Sequence, residues 1–554
     1  MKKGKFSILC ALLLPSMTSC GHVVGDSTNI TSVQTVQMQF LRTSGDNQLF
    51  VVKSSDGTSD GLISLFGSVM YINIYNETEK GVAEIAKNFQ DTMEYYHVLF
   101  DRHHTYAYKD NPDDVIHNLK YLNDSYGTGE WVTLEPILYD ALKSAYDFTL
   151  QSEGYYSLFI GNLSDVYDEA IDAATEATTS STGNNVYKYL SKMNKFKIYR
   201  MPSRLDIEKA LKYTPQVVCD SEGNNCKFDQ KNILEFDDSK RAVKFNKYEV
   251  ANPVNNMQVS ISMSGQGKGI ATDKFIHDNP NKILLVNGGS SSITTNNDKT
   301  NGRPWKITFT NPAYKELSSM GLPINVNEYD VVYSHFGGFN LSTSGYYEQY
   351  YYAPFTAIKD EEGNVTGYEE WLFDTSKDYI GTANYEDIDV LKRISHIINP
   401  KTGYPAGFDS EVQISGDIST LSSVDFVSIV TGDNLVTDMY TTALLATNCF
   451  DKALKVKNKL DDIYGDTFMV YSYKEYDDYS GYRKFLNYNP VPMNPDKPLD
   501  ISNYVFDSQA PYQKTGGLNF KQVYMVPSKY SSDVYIDLDT VNSTDNVIAD
   551  IRCY

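Results

Sequence analysis

The sequence predicts a mixed α/β protein, because apolar residues follow both the strand period and the helix period along the chain. Residues 258–261 alternate polar with apolar side chains, and 69–74 are rich in strand-forming apolar residues. Within 82–96 and 138–148, apolar residues recur at the spacing of one helix face. With 554 residues, 41% of them hydrophobic, the chain can bury a sizeable core and has length for more than one domain.

The N-terminus has the layout of a bacterial secretion signal. Three lysines within the first five residues precede an apolar run at 6–14, which is too short to span a bilayer. The small residues before Cys20 resemble a lipobox, in which that cysteine becomes the lipid-bearing first residue, with an ordinary cleaved signal as the alternative. We therefore predict a lipoprotein signal peptide at 1–19 and a flexible polar tether at 20–60. The body is expected on the extracytoplasmic side of the cell membrane, held there by the lipid.

The formal net charge is −22, which disfavours binding to nucleic acid and to anionic lipid. The same charge repels a nucleotide pyrophosphate. A phosphate site in this protein therefore needs concentrated positive charge from a lysine, helix ends or a divalent cation.

The chain has 6 cysteines, and two of them flank a short turn-like sequence. Cys219 and Cys226 enclose D-S-E-G-N-N, which predicts a small structural disulfide loop in an oxidising compartment. The cysteine spacing suggests no zinc site.

A glycine-rich stretch at 262–273 reads S-M-S-G-Q-G-K-G-I-A-T-D. It follows the alternating run at 258–261 and precedes an apolar-periodic run, so we predict a strand, a glycine-rich loop and a helix start. The N–H groups of a helix N-terminus attract an anion, glycines allow it to approach closely, and Lys268 adds a full positive charge. The G-x-G-x-G spacing matches neither the dinucleotide fingerprint nor a P-loop, and taken alone it also fits a solvated turn.

Further motifs occur in a fixed order around this stretch. They are L-F-D-R-H at 99–103, E-G-Y-Y at 153–156, V-N-G-G at 286–289, G-R-P-W at 302–305, S-T-S-G at 342–345, H-I-I-N-P-K-T-G at 396–403 and D-M-Y-T-T-A at 438–443. The ordered set resembles the FAD:protein FMN transferase family, the ApbE-like flavin transferases, from about Gly67 to Tyr488. The resemblance implies the ApbE-like fold in a transferase domain at 61–488. Residues 489–554 then form a linker and a small β-rich C-terminal extension of unknown role.

An acid and a hydroxyl four residues apart suggest a metal site. Asp438 and Thr442 share one face of a predicted helix for which Thr437 is a possible N-cap. Carboxylate, hydroxyl and carbonyl oxygens are hard ligands suited to Mg²⁺, which completes its octahedron with water and substrate phosphate. The resemblance implies that Asp438 and Thr442 bind magnesium together with the carbonyl of Gly265.

The resemblance also implies the reaction. A threonine or serine hydroxyl of another protein attacks the FMN-side phosphorus of FAD, AMP leaves, and FMN remains bound through a phosphoester. His396 matches the family histidine beside the pyrophosphate and would act as general base, since an ordinary histidine has a pKa of about 6.5. His396 and Asp438 are thus the predicted catalytic residues. The predicted contacts to FAD are His103, Tyr155, Tyr156, Ser157, Gly265, Lys268, Asp273, Gly288, Gly289, Ser344, Gly345 and His396.

Two positions depart from the family pattern, because Ser262 and Tyr346 stand where an acid is usual. Two alternative functions therefore stay open. One is an FAD pyrophosphatase that yields FMN and AMP. The other, which these two departures favour, is a non-enzymatic FAD-binding lipoprotein. An acidic and aromatic insertion at 353–393 precedes His396 and suggests a lid or a docking surface. The sequence does not name the acceptor protein.

Overall fold

The computed structural model describes residues 62–67, 70–405 and 423–476, together with short strand segments on either side. Within those ranges the exceptions are 180–185, 195–196, 255, 290, 301, 311–328, 346–348, 364, 372–387, 389, 432–433, 448–449 and 466. Cys20 and Tyr346 lie outside the described residues, so the lipid anchor and one of the two departures from the family pattern stay predictions. No described helix is both long and apolar enough to cross a bilayer.

The helices fall mainly in the first half of the described chain. They are α1 (Glu79–Phe100), α2 (Leu119–Asp124), α3 (Pro136–Gln151), α4 (Gly161–Thr179), α5 (Val186–Asn194), α6 (Arg204–Lys212), α7 (Ser264–Asp278), α8 (Asn434–Ala446) and α9 (Phe450–Tyr464).

The strands are spread along the whole chain. They are β1 (His22–Val23), β2 (Val33–Met38), β3 (Leu41–Thr43), β4 (Phe50–Lys53), β5 (Leu62–Ser64), β6 (Met70–Tyr75), β7 (Thr105–Tyr108), β8 (Asn111–Val115), β9 (Trp131–Thr133), β10 (Val217–Val218), β11 (Lys227–Phe228), β12 (Leu234–Asp237), β13 (Ala242–Phe245), β14 (Ile283–Asn287), β15 (Ser292–Thr295), β16 (Trp305–Thr310), β17 (Tyr329–His335), β18 (Phe339–Gly345), β19 (Tyr350–Lys359), β20 (Val365–Glu370), β21 (Val390–Ser395), β22 (Ser423–Thr431), β23 (Phe468–Tyr476), β24 (Leu518–Val526), β25 (Val534–Ile536) and β26 (Val547–Cys553).

A central sheet with nine described strands organises the molecule. Its order is β2-β6-β14-β15-β18-β22-β23-β24-β26, and every neighbouring pair is antiparallel except β24 and β26. Helix α8 packs against β18 and β22 and contacts α7, which in turn packs against α1. The fold is therefore mixed α/β, as the sequence predicts, and α7 and α8 lie side by side near the middle of the sheet.

Helix α1 shows how the apolar pattern becomes core. Thr78 caps its N-terminus by accepting a 3.1 Å hydrogen bond from the N–H of Gly81. The predicted apolar stripe is buried, and Phe89 and Met93 on it have no exposed surface. This stripe belongs to the main core, together with residues of α3, α7, α8 and β6.

The described part of the insertion at 353–393 forms most of a separate sheet of three described strands. Strands β20, β19 and β21 form that sheet in this order, and β21 leads directly into His396. Tyr351, Ala353 and Ile394 are buried in a second core shared with α4 and α6. The described part of the insertion thus positions the predicted general base, and its proposed roles as lid or docking surface stay predictions.

Both chain ends contribute strands, which differs from the predicted tether. Within 20–60, β2 pairs with β6 of the central sheet and β4 pairs with β7. The sequence of β2, V-Q-T-V-Q-M, contains β-branched residues that are common in strands, although the polar composition around it suggested a tether. In the C-terminal extension, β24 and β26 continue the central sheet and β25 pairs with β17.

Two local predictions about helix starts and one about a strand are corrected, since residues 258–261 form no strand. Helix α7 begins at Ser264, so the glycines lie inside its first two turns and not in a loop before it. Helix α8 begins at Asn434, so the fully buried Thr437 lies within the helix and is not its N-cap.

The predicted disulfide between Cys219 and Cys226 is confirmed.

A buried carboxylate after α1 makes stability depend on pH. Asp101 accepts hydrogen bonds from the N–H of His103 (2.7 Å), from His104 Nδ1 (2.8 Å) and from the hydroxyl of Tyr106 (2.6 Å). Burial raises its pKa, but the hydrogen bonds and the neighbouring His97 outweigh burial, and the pKa lies below its ordinary value.

We expect Asp101 to stabilise the fold above about pH 4, and this contribution to fall as the pH drops through the depressed folded-state pKa. Urea unfolding of the wild-type protein and of Asp101→Asn between pH 6 and pH 2 measures this pH-dependent contribution. Below about pH 4, the difference in unfolding free energy should shrink by about 1.4 kcal/mol for each pH unit, as long as the pH stays above the depressed folded-state pKa. A pH-independent difference would contradict this assignment.

Candidate active site

A cavity of about 250 Å³ lies where the N-terminus of α7, the middle of α8 and the ends of β18 and β21 meet. Most of the residues predicted to bind FAD or metal line it, although they come from distant parts of the chain. They are Tyr155, Tyr156, Ser157, Gly265, Lys268, Ser344, Gly345, His396, Asp438 and Thr442.

Four predicted FAD contacts do not line the cavity. His103 is exposed in the loop after α1. Asp273 lies on α7 about 12 Å along the helix axis from Gly265, since each residue advances about 1.5 Å. Gly288 and Gly289 form the turn between β14 and β15, next to the cavity-lining Ser291.

Helix α7 approaches its neighbours so closely that side chains are excluded at two positions. A Cβ atom at Gly267 would lie 2.5 Å from the ring of Phe100 on α1. A Cβ atom at Gly265 would lie 2.9 Å from Oδ2 of Asp438 on α8. The glycines therefore bring the first turn of α7, whose N–H groups have no acceptor within the helix, directly beside the Asp438 carboxylate.

Lys268 supplies the positive charge that the acidic chain needs at this point. Its side chain is 6% exposed, and Nζ donates a 2.6 Å hydrogen bond to Oγ of Ser291. Since the positive end of the α7 dipole also faces the cavity, the two effects together favour an anion there.

Oxygen atoms cluster around Asp438. The amide of Gln266 donates a 2.6 Å hydrogen bond to Oδ2 of Asp438, and Ser342 Oγ lies 3.5 Å from Oδ1. One turn along α8, Thr442 Oγ1 lies 3.3 Å from Oγ of Ser344. A carboxylate and two hydroxyls thus face one region of the cavity, beside the backbone of Gly265.

His396 is held by the backbone at the end of β21. Its N–H donates to the carbonyl of Gln349, and its ring nitrogen Nδ1 lies 3.2 Å from the same oxygen. Because a carbonyl only accepts, Nδ1 carries the proton, and the lone pair of the neutral ring lies on Nε2. That tautomer is the one a general base acting through Nε2 requires.

Two neighbouring tyrosines form part of the cavity wall. The Nζ atom of Lys401 lies 4.3 Å from the ring centre of Tyr155, and burial lowers the pKa of this lysine. Tyr156 is 4% exposed, and burial together with the Asp438 carboxylate raises the pKa of its phenol. Both rings therefore hold fixed positions in the wall.

Sequence reasoning missed three residues that line the cavity, and two of them contact predicted site residues. Gln266 and Ser291 make the hydrogen bonds to Asp438 and Lys268 described above, and the backbone N–H of Phe66 is held by His97 Nδ1 at the edge of the cavity. Gln266 stands between two of the motif glycines, and this position was the sequence signal that could have identified it as a site residue. Nothing in the spacing indicates the other two.

A helix N-terminus and a buried lysine beside an acid and hydroxyl pair suit the binding of a phosphorylated ligand with a divalent cation. The model of the ApbE family matches residues 66–365 of this chain. Since the match spans more than half of the 554 residues, the chain belongs to the ApbE family, and the transferase assignment made from the motifs is confirmed. No curated protein matches the chain.

Several solved structures are similar to this chain. The ApbE protein from Thermotoga maritima is 18% identical with a TM-score of 0.43, and the match covers 76% of this chain and 94% of that one. The flavin transferase ApbE from Vibrio cholerae is 11% identical (TM-score 0.42; 80% and 94%). The flavinyl transferase ApbE from Pseudomonas stutzeri is 12% identical (TM-score 0.41; 80% and 91%). These likenesses are too distant to assign residue roles.

Proposed function

We propose that this protein transfers FMN from FAD to a threonine or serine hydroxyl of an extracytoplasmic protein and releases AMP, with Mg²⁺ as the metal. The observation that carries the proposal is the convergence of Gly265, Lys268, His396, Asp438 and Thr442 on one cavity. Membership of the ApbE family supports it.

The residues around Asp438 fit a magnesium ion. Their donors are hard oxygens, and the close approach of Gly265 to Asp438 places a backbone carbonyl in the same neighbourhood. Among the described residues, no group of three or more acidic, histidine or cysteine side chains is arranged to hold a metal ion. Asp438 is the one acid among the described residues that line the cavity, so the protein would supply a single carboxylate. That suits Mg²⁺, which takes further ligands from water and substrate phosphate and, when bound, neutralises phosphate charge.

The protein's own groups then position the reactants. The α7 N-terminus and Lys268 bind the pyrophosphate, and Nε2 of His396 accepts the proton of the acceptor hydroxyl. The hydroxyl oxygen forms a bond to the FMN-side phosphorus. The bond from this phosphorus to the bridging oxygen breaks, and its electron pair leaves with AMP. Catalysis of this kind depends mainly on positioning and charge stabilisation.

Product analysis tests this proposal against the two alternatives. The full chain is incubated with FAD, Mg²⁺ and a peptide that contains Asp-x-x-Thr-Gly-Ala-Thr, and AMP, free FMN and peptide-bound flavin are quantified. Equal amounts of AMP and flavinylated peptide support the transferase. AMP with equal free FMN and no peptide adduct would indicate a pyrophosphatase, and FAD binding without AMP a non-enzymatic binder.

We also propose that lipid on Cys20 anchors the protein outside the cytoplasm. The charged, apolar and small-residue segments of 1–19 support this location. Cell fractionation should recover the protein with membranes and require detergent for its release, whereas recovery in the aqueous fraction would contradict the anchor.

Gln266 is expected to set the affinity of the metal site, because its amide fixes the orientation of the Asp438 carboxylate. Gln266→Leu should weaken Mn²⁺ binding to the full chain by about tenfold to a hundredfold, as measured by electron paramagnetic resonance. Gln90→Leu is a matched control, since the Gln90 amide also donates to a buried carboxylate, Glu94, but outside the cavity. Tighter Mn²⁺ binding in Gln266→Leu would show that the amide competes with the metal.

A further inference from the structure

The hydroxyl of Tyr156 is a buried polar group that has no hydrogen-bond partner among the described residues. Other buried tyrosines of the chain differ in this respect. The hydroxyl of Tyr106 donates to Asp101 (2.6 Å), that of Tyr167 to the carbonyl of Gly403 (3.0 Å), and that of Tyr440 to Asp461 (2.6 Å). An unsatisfied buried donor destabilises a fold, so this one calls for a physical explanation.

The location of Tyr156 points to a ligand. The residue lines the same cavity as Lys268 and Asp438, and it is 4% exposed. Its ring packs edge-on against Phe148, with ring centres 5.6 Å apart, and its backbone N–H donates to Oγ of Ser152. Ring and backbone are thus both fixed at the cavity wall, and the cavity-lining Asp438 carboxylate is near enough to raise the pKa of the phenol.

A neutral phenol at this position offers one O–H donor. The groups that converge on the same cavity, Lys268 and the α7 N-terminus, favour an anion. A phosphate oxygen accepts a hydrogen bond from a neutral donor more strongly than an uncharged oxygen does. The chemistry that would satisfy Tyr156 is therefore an anionic oxygen.

We propose that the Tyr156 hydroxyl donates a hydrogen bond to a pyrophosphate oxygen of bound FAD, so that the substrate satisfies a donor that the free protein leaves unpaired. This inference rests on the proposed function, since it assumes FAD as the ligand. Tyr156 would then recognise the phosphate portion of the flavin nucleotide through its hydroxyl, in addition to any contact that the tyrosine ring makes.

The inference predicts opposite effects of one substitution on stability and on binding. Tyr156→Phe removes the unsatisfied hydroxyl and keeps the ring, so the melting temperature of the ligand-free protein should rise. The same change should weaken FAD binding by about tenfold to a hundredfold, as expected for loss of a hydrogen bond to a charged group. Binding of FMN should also weaken, while riboflavin, which lacks phosphate, should bind the variant as it binds the wild type.

The experiment measures flavin fluorescence quenching and thermal unfolding for the wild type, Tyr156→Phe and Tyr167→Phe. Tyr167→Phe is the matched control, because it removes a satisfied hydroxyl outside the cavity, and it should lower the melting temperature and leave FAD binding unchanged. Unchanged FAD binding or a lowered melting temperature in Tyr156→Phe would overturn this inference alone. A weakened affinity for riboflavin would place the contact on the flavin ring and overturn the phosphate assignment. Failure of the wild type to bind FAD would overturn the proposed function, and this inference with it.

Discussion

Asp438→Asn is expected to reduce flavin transfer by at least about a thousandfold and to abolish specific Mn²⁺ binding. The carboxylate is the one acid in the proposed ligand set, and the substitution removes its charge while keeping its shape. A pair of unit charges 4 Å apart at an effective dielectric of about 20 is worth about 4 kcal/mol, and a divalent ion roughly doubles that. A loss of only about 4 kcal/mol of this attraction already corresponds to about a thousandfold decrease in rate. The rate of flavin attachment to the acceptor peptide, followed by in-gel fluorescence, measures the effect.

Asp451→Asn provides the control for Asp438→Asn. Asp451 is an exposed acid in the first turn of α9, outside the cavity, so its variant loses the same charge without touching the site. Its transfer rate and Mn²⁺ affinity should match the wild type. Transfer by Asp438→Asn within about tenfold of the wild-type rate would remove Asp438 from the metal site.

Asp461→Asn is expected to cost about 3–5 kcal/mol of unfolding free energy, because it breaks a buried ion pair on one side only. The side chains of Lys457 and Asp461 on α9 are 0% and 8% exposed and pair with each other. Asp461 also accepts hydrogen bonds from Tyr440 (2.6 Å) and Thr467 (2.9 Å). The substitution leaves a buried lysine without its counter-charge. Urea denaturation of wild type and variant measures the loss.

An exposed pair with the same helical spacing is the control for Asp461→Asn. Lys80 and Glu84 on α1 lie 3.7 Å apart with side chains 87% and 66% exposed, so Glu84→Gln should change stability by less than about 1 kcal/mol. Adding Lys457→Met to Asp461→Asn should recover much of the loss, because it removes the unpaired buried charge while the amide oxygen at position 461 still accepts from Tyr440 and Thr467. A cost below about 1 kcal/mol for Asp461→Asn would show that water reaches this pair.

The buried ion pair on α9 and the candidate active site are linked through α8. Tyr440, which donates to Asp461, lies on this helix between Asp438 and Thr442, so the buried pair on α9 anchors the helix that carries both proposed metal ligands. The ion pair therefore fixes the orientation of α8 relative to α9.

The sequence predicted the parts of the site that depend on local geometry. Asp438 and Thr442 share a helix face because they are four residues apart, and the backbone at Gly265 could be approached closely by a ligand because glycine lacks a side chain. The order of the motifs then indicated that these residues meet. Each of these predictions follows from a period or a residue type visible within a few positions.

Contacts between distant segments could not be predicted in the same way. Gln266 and Asp438 are 172 positions apart, and no local pattern pairs them. The strand β2 lies in a polar segment whose composition suggested a tether, and its partner β6 decides its conformation. Likewise, Val534–Ile536 reads as a strand, but its pairing with β17 depends on the whole fold.

In the proposed function, Asp438 and its neighbours hold a divalent ion against the pyrophosphate of FAD. Phosphorus NMR of FAD bound to the full chain tests it, because Mn²⁺ broadens the resonance of a nearby phosphorus nucleus. We predict that substoichiometric Mn²⁺ broadens both pyrophosphate resonances with the wild-type protein, and far less with Asp438→Asn at the same concentrations. Sharp resonances in the wild-type complex, or equal broadening in the variant, would contradict the account.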